Sequence, residues 1–282
     1  VGTDRDPAGL RDLNRMLRAT CMVRRRKADV LKELPAKVRT PIPVEITTRA
    51  EYERCEHDLV AHLRRKAASD QRFLAKLDAE LAEIADKAVR ERIRHERIAE
   101  HAEAMAQAGL SPAAILVLIE NLKQIAARGK LRSLIDWTDD FLEPGEQLVI
   151  FAWHKDIVDS LAAHYGAPKL YGETPIGERQ KIVDRFQNGD ERLIVMNVQS
   201  GGGGITLTAA ANVAFVELGW NPATMDQAED RVHRIGQTDS VTAWYFLGQQ
   251  TIDEDIADLI ERKRWVVNVT TDGHTDAPSE GT

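Results

Sequence analysis

From Leu131 to Val269 the chain alternates between short apolar runs and longer amphipathic stretches, and this alternation constrains the fold more than any other feature. QLVIFAW, PKLYG, ERLIVMNV, NVAFVEL and VTAWYFL read as strands. Between and around them, LRSLIDWTDDFL, KDIVDSLAAHY, GERQKIVDRFQNG, ATMDQAEDRVHRIG and TIDEDIADLIERKRWVVNV read as helices. Strands separated by helices of this length pair side by side rather than as hairpins. The expected fold is therefore α/β, a parallel sheet with helices on both faces. Its crossovers should be right-handed, and ligands should gather at the carboxyl ends of its strands.

One stretch, Met196 to Gln237, concentrates the chemistry of those strand ends. The strand RLIVMNV runs into four consecutive glycines, Gly201 to Gly204. Without a Cβ, their backbone N–H groups can turn toward an anion. Ser200, Thr206 and Thr208 add hydroxyls beside the loop. Downstream, helical spacing puts Gln227, Arg231 and Arg234 on one face. Two guanidiniums one turn apart are permanently charged and forked, which suits charge developing on a transferring phosphoryl group. The plainer alternative is a solvated helix whose arginines pair with Glu229 and Asp230.

Length allows one large or two ordinary domains, and a 43% hydrophobic, 29% charged composition is that of a soluble globular protein. The longest apolar run, Ala113 to Ile119, is far too short to cross a bilayer, and no signal peptide is expected. Cys21 and Cys55 lie far apart without metal-ligand spacing, which fits a reducing compartment, cytoplasmic (nucleoid-associated) or nuclear. A net charge of −7 does not argue for nucleic-acid binding, but a binding groove is a local matter.

Residues 1–48 begin loosely and form a helix through Leu13, Met16 and Leu17. They then pass a basic cluster, Arg24 to Lys27, and enter a proline-bearing turn and an extended segment ending in Val44 and Ile46. Residues 49–128 are mainly helical. Glu51 to Gln107 holds no Gly or Pro, and Leu74, Leu77, Leu81, Ile84 and Ala88 form a narrow apolar seam, as in a protruding hairpin. HERIAEH looks like a zinc-protease helix, but His95 and His101 are six residues apart instead of four, so no metal site is expected. Ser111 and Pro112 should start a new helix, and Gly129 should end it. Residues 129–270 carry the alternating pattern, and 271–282 read as a disordered tail.

QAEDRVHRIGQ, behind WNP and the glycine loop, resembles motifs V and VI of the Swi/Snf-type DNA-translocating ATPases, a family of superfamily-two helicases. MVRRRKADVLKELPAKVRTPIPVEIT resembles the family's crossing from the first motor lobe to the second. VIFAWH resembles motif IV, and LYGETPIGERQKIVDRFQ the segment after it. The likeness runs from about Leu17 to Val269 and is weakest through the helical insertion. It implies the second of two RecA-like lobes, closed by a brace helix. In that likeness Ser200, Gly201, Gly202, Gly204 and Thr206 hold the backbone of a tracked DNA strand, and Trp220 approaches it. A packed aromatic is an equal reading of Trp220. Gln227, Arg231 and Arg234, with Gly202 and Gly204, face ATP and Mg²⁺ bound mainly by the first lobe. The two arginines act as fingers on the γ-phosphate, Arg234 more directly, while His233 is structural. The implied partners are duplex DNA and the first lobe of the same protein, with no membrane and a monomeric state.

The chain departs from the family at Ala211, where an acidic residue is common, and at Gln199, where a basic one is frequent. It contains no GxxxxGK[ST] phosphate loop and no DEAH-like strand end. The sequence is thus expected to be the C-terminal half of a motor and inactive as an ATPase alone. A non-catalytic nucleic-acid-binding or regulatory module is the alternative, disfavoured by the two arginines on one face. A dinucleotide-binding oxidoreductase fails on pattern, because Leu207 stands where the third glycine belongs.

Overall fold

The structure is a computed structural model that describes residues 7–82, 84, 86–109, 111–200 and 204–273. The N-terminal part holds α1 (Pro7–Thr20), α2 (Lys27–Val30) and β1 (Lys37–Val44). Three long helices follow: α3 (Arg49–Ala82), α4 (Lys87–Gln107) and α5 (Pro112–Leu142). Then come β2 (Leu148–Ala152), α6 (Lys155–Tyr165), β3 (Lys169–Leu170), α7 (Ile176–Gln187) and β4 (Leu193–Asn197). The chain continues with β5 (Asn212–Phe215), α8 (Pro222–Glu229), β6 (Val241–Gly248) and α9 (Ile252–Asp272). It divides into two compact units, Val1–Thr47 with Ala127–Thr282, and Thr48–Ala126.

In the first unit six strands form one sheet in the order β1-β6-β5-β2-β4-β3, and every pairing is parallel. The two faces of β2 show how the sheet is covered. Val149 and Phe151 pack with Phe186 of α7, Met225 of α8 and Ile256 and Ile260 of α9. Leu148, Ile150 and Ala152 pack with Leu134 of α5 and Ile157 and Leu161 of α6. Both faces are apolar because both are covered, so β2 and β4 read as continuous hydrophobic runs. Fully burying each large side chain contributes roughly 1.5–3 kcal/mol. Across the middle of the sheet, Phe151, Phe215 and Tyr245 are in register and stack at 5.1 Å and 4.9 Å.

A buried lysine ties the strand ends to the last helix. Lys130 of α5 is fully buried, and its Nζ donates to the carbonyls of Val216 and, at 2.9 Å, Phe246. The same ammonium meets Asp253 Oδ2 at 2.5 Å, near the start of α9. Asp253 Oδ2 also accepts from Gly248 N at 3.0 Å, so the pair has additional hydrogen bonds in its dry site.

In the second unit α3 and α4 run as a hairpin. Asp70 meets His101 at 3.0 Å, Phe73 stacks on that imidazole at 4.0 Å, and Asp78 meets Arg94 at 3.2 Å. Leu77 and Leu81 of the expected seam are buried, whereas Leu74 is 41% exposed. Ser111 Oγ accepts from Ala114 N at 3.2 Å at the start of α5, as a cap should.

Three sequence expectations change. Gly129 does not end a helix, because α5 is continuous through it and its carbonyl accepts from Thr47 N at 3.1 Å. The extended segment before Val44 is not merely a crossing. It is β1, paired in parallel with β6 from Lys37↔Val241 to Val44↔Gly248. Pro41 and Pro43 are tolerated there because β1 is an edge strand with one side of its backbone unpaired. Of the expected tail, Thr271 and Asp272 belong to α9, while 274–282 lie outside the described residues.

Candidate functional site

A further change concerns the helix expected over ATMDQAEDRVHRIG. Asn221 caps α8 by accepting from Ala223 N at 3.0 Å, with Pro222 in the first turn. The helix stops at Glu229, and Asp230 to Gly236 form tight turns. Tertiary bonds redirect the carbonyls that would have extended it. Arg231 O accepts from Leu207 N at 2.8 Å, and His233 O accepts from Lys27 Nζ at 3.4 Å. Gln237 then fastens the turn, its Nε2 donating to Ala210 O at 2.7 Å and to Thr208 O at 3.2 Å.

Although Arg231 and Arg234 are not helical, the turns bring both to one cleft with Gln227. That cleft has a volume of about 430 Å³ and is also lined by Lys27, Gly204 and Ile205. Arg231 is only 7% exposed, lies over the Phe151 ring at 5.5 Å and reaches Ser200 Oγ at 3.5 Å. Burial first, and then the nearby Arg179, push its guanidinium pKa down to about 10. Arg234 is exposed, with Nη1 3.4 Å from the carbonyl of Gly204. Gln227 is exposed beside them.

The carboxylates nearest in sequence are bound to other cations. Glu229, fully buried, meets Arg39 Nε at 2.7 Å and Lys37 Nζ at 2.7 Å, and accepts from the Tyr245 hydroxyl. Asp230 meets Lys27 at 2.6 Å and Lys37 at 3.2 Å. Among the described residues no ion pair reaches Arg231 or Arg234, so the plainer pairing with Glu229 and Asp230 does not form. Two guanidiniums without an ion-pair partner among the described residues, one of them desolvated, thus line one cleft, and the planar fork of each suits a phosphate or carboxylate group. The described residues bring no three metal-ligating side chains together.

The Glu229 cluster has its own pH signature. Burial would raise this carboxyl, but Arg39 and Lys37 outweigh it and hold its pKa at about 2, against 4.5 ordinarily. A depressed folded pKa stabilises fully above the unfolded value, and the contribution is lost as pH falls from about 4.5 toward about 2. The shift corresponds to on the order of 3 kcal/mol. Glu229→Gln should therefore be less stable than wild type at pH 7, and the gap should narrow by pH 3. Urea unfolding at both pH values checks this, and a gap that stays constant would mean that the carboxylate charge is not its source.

The residues expected to meet DNA are placed as follows. Gly201 and Gly202 lie outside the described residues, and Gly204 is exposed at the cleft. Ser200 is buried, its hydroxyl donating to Asn197 O at 2.5 Å, and Thr206 is half-buried. Trp220 lies beyond the end of β5, half-buried against the core, with its carbonyl accepting from Lys263 Nζ at 2.8 Å. It does not line the arginine cleft. Next to it, Gly219 permits a close approach, since a Cβ there would sit 2.9 Å from Cζ3 of Trp153. His233 is buried and donates from Nε2 to Pro35 O at 2.8 Å, a structural role. Most of the basic cluster is engaged internally, with Arg24 on Asp272, Arg26 on Asp29 and Lys27 on Asp230. Lys27, Lys37 and Arg39 were not recognisable in sequence as the partners of Glu229 and Asp230, because no local pattern links segments so far apart.

Residues 129–236 match the helicase conserved C-terminal domain. Over 266 residues, 91% of the chain, it is 31% identical to the SWI/SNF-related matrix-associated actin-dependent regulator of chromatin subfamily A-like protein 1 of Xenopus laevis. It is 28% identical over 275 residues, 96% of the chain, to the DNA annealing helicase and endonuclease ZRANB3 of Mus musculus. The chain spans less than a quarter of these relatives, 23% and 22% of their lengths. Among solved structures, the Sulfolobus solfataricus SWI2/SNF2 ATPase core in complex with dsDNA aligns with TM-score 0.53 and 25% identity, over 94% of this chain and 52% of that one. The C-terminal part of the Fun30 ATPase domain shares the fold, with TM-score 0.53 and 20% identity, over 80% of this chain and 89% of that one. With its parallel sheet, its glycine loop and its paired arginines at the strand ends, the chain belongs to the Swi/Snf-type family of superfamily-two helicases and forms their C-terminal RecA-like lobe.

Proposed function

We propose that this lobe works as the second half of an ATP-dependent motor that moves along double-stranded DNA and remodels protein–DNA complexes or DNA junctions. The observation that carries this reading is the pair of arginines without counter-ions at the strand ends. Arg231 and Arg234 share one cleft with Gln227, while Glu229 and Asp230 are held by Lys27, Lys37 and Arg39. Relatives named as chromatin regulators and annealing helicases, and a solved relative held on duplex DNA, support the same conclusion.

In this reading ATP and Mg²⁺ are held mainly by a first RecA-like lobe, and the nucleotide supplies the energy of phosphoryl transfer. From this chain, Arg234 reaches the γ-phosphate as the exposed finger. Arg231, fixed over Phe151 and beside Ser200, supplies the second charge, and Gln227 orients polar atoms at the mouth. Ser200, Gly201, Gly202, Gly204 and Thr206 form the loop that follows the DNA backbone, with Trp220 at the next strand end. The motor acts as a monomer inside the cell, where the DNA is. Among the described residues no helix is long and apolar enough to cross a membrane.

The sequence contains no phosphate loop, so purified 1–282 should release no phosphate from ATP, with or without duplex DNA. The same preparation should bind duplex without sequence preference, with a Kd of roughly 10⁻⁴–10⁻⁶ M that weakens steeply between ~50 and ~200 mM salt. Adding the parent's first lobe should restore DNA-stimulated turnover. Robust ATPase activity from 1–282 alone, or base-specific binding that ignores salt, would overturn the reading.

A further inference from the structure

Asn197 is the last residue of β4, is 8% exposed, and bonds to two different loops. Its Nδ2 donates to Trp153 O at 2.5 Å, at the end of β2. Its Oδ1 accepts from Gln199 N at 2.9 Å, and its own carbonyl accepts from Ser200 N at 2.9 Å and Ser200 Oγ at 2.5 Å. Ser200 in turn lies 3.5 Å from Nη1 of Arg231. On the far side, Trp153 N and His154 N donate at 2.8 Å and 3.0 Å to Glu217, which follows β5 and also holds the His154 ring. The Trp153 ring rests on Gly219, next to Trp220. Three strand-end loops are thus joined from Trp220 to Arg231, and the side chain of Asn197 bridges two of them.

We infer that Asn197 is a positioning residue that couples the tryptophan end of the strand row, Trp153 and Trp220, to the Arg231 guanidinium. This rests on the motor reading above and deepens it, because it says how DNA on the loops would set the arginine. An amide suits this position. It donates to one loop while accepting from another, and neither a carboxylate nor an aliphatic side chain does both. Burial keeps water from substituting for either bond. In the motor reading Asn197 contacts neither nucleotide nor DNA, so its loss should leave both bound. A finger displaced by a fraction of an ångström, however, loses much of its effect on the transition state.

The test uses the complete motor. Asn197→Asp is nearly isosteric, keeps the acceptor for Gln199 N and removes the donor to Trp153 O. DNA-stimulated kcat should fall on the order of ten- to a hundredfold. The KM for ATP and the DNA concentration for half-maximal stimulation should stay within about threefold. Ser200→Ala breaks the next link and should lower kcat by a similar factor; only its kcat is read, because Ser200 also belongs to the loop proposed to follow the DNA backbone. The double variant should lose no more than the worse single one, since both act through one guanidinium. If Asn197→Asp does not fold, Ser200→Ala alone reads the link. A wild-type motor without DNA-stimulated turnover overturns the motor reading and this inference with it. With an active wild type, a variant of normal kcat, additive losses in kcat, or, for Asn197→Asp, equal loss of DNA affinity and turnover overturns the inference alone.

Discussion

Arg234→Ala in the complete motor is expected to lower kcat on the order of 10³–10⁵, the range associated with arginine fingers. Three observations set this expectation. Arg234 is exposed at the cleft, its nearest polar partner is the Gly204 carbonyl at 3.4 Å, and no described carboxylate pairs with it. Its side chain therefore supports no core. Its charge counts only where negative charge spreads over the transferring phosphoryl oxygens. DNA affinity and melting temperature should change little. Arg234→Lys should rescue poorly, because an ammonium cannot reproduce the planar fork. Arg231→Ala should behave differently: it removes a buried side chain packed over Phe151, so some stability should fall with activity. Measuring kcat, DNA affinity and Tm for the three variants separates the roles. An Arg234→Ala protein that melts early yet turns over normally would place the arginine in the scaffold instead.

Asp253→Ala should be among the most destabilising single substitutions in the lobe. It leaves the Lys130 ammonium fully buried with only the carbonyls of Val216 and Phe246 for company. Removing one partner of a buried pair costs about 3–5 kcal/mol, since the remaining charge is uncompensated. For a domain of this size that corresponds to a fall in Tm of roughly 6–20 °C. Lys130→Met should cost a similar amount, with Asp253 then stranded beside Gly248 N. The double variant Lys130→Met, Asp253→Ala should recover much of either loss, because no buried charge remains. Thermal melts of the four proteins test this, and double-variant losses that simply add would show that the pair is not coupled.

The sheet and its covering helices were legible in the sequence because each element carries its own period. LVIFA and LIVMN are apolar throughout, and KDIVDSLAAHY forms α6 over the expected residues. The first strand was less legible, since Pro41 and Pro43 argue against a strand unless its place at the sheet edge is known. The end of α8 was hidden for a different reason. Locally, EDRVHRIG continues a helical pattern, but the helix ends at Glu229, where Leu207 and Lys27 donate to the carbonyls of Arg231 and His233 and Gly236 takes a positive φ. Gln227, Arg231 and Arg234 could be grouped from spacing alone and still meet in one cleft. That Glu229 and Asp230 would be occupied elsewhere could not be read, because Lys27, Lys37 and Arg39 come from the other end of the chain.

The pairing of β1 with β6 sets a timetable for synthesis. Lys37 leaves the ribosome about 200 residues ahead of its partner Val241, on the order of 10–40 s at common translation rates. Through that interval the nascent chain carries a strand whose intended neighbour does not yet exist. Pro41 and Pro43 remove two backbone donors from it, and Lys37 and Arg39 add charge. All four make the waiting strand a poor template for adding to another chain. The features that obscure β1 as a strand in the sequence are those that protect it until the sheet can close.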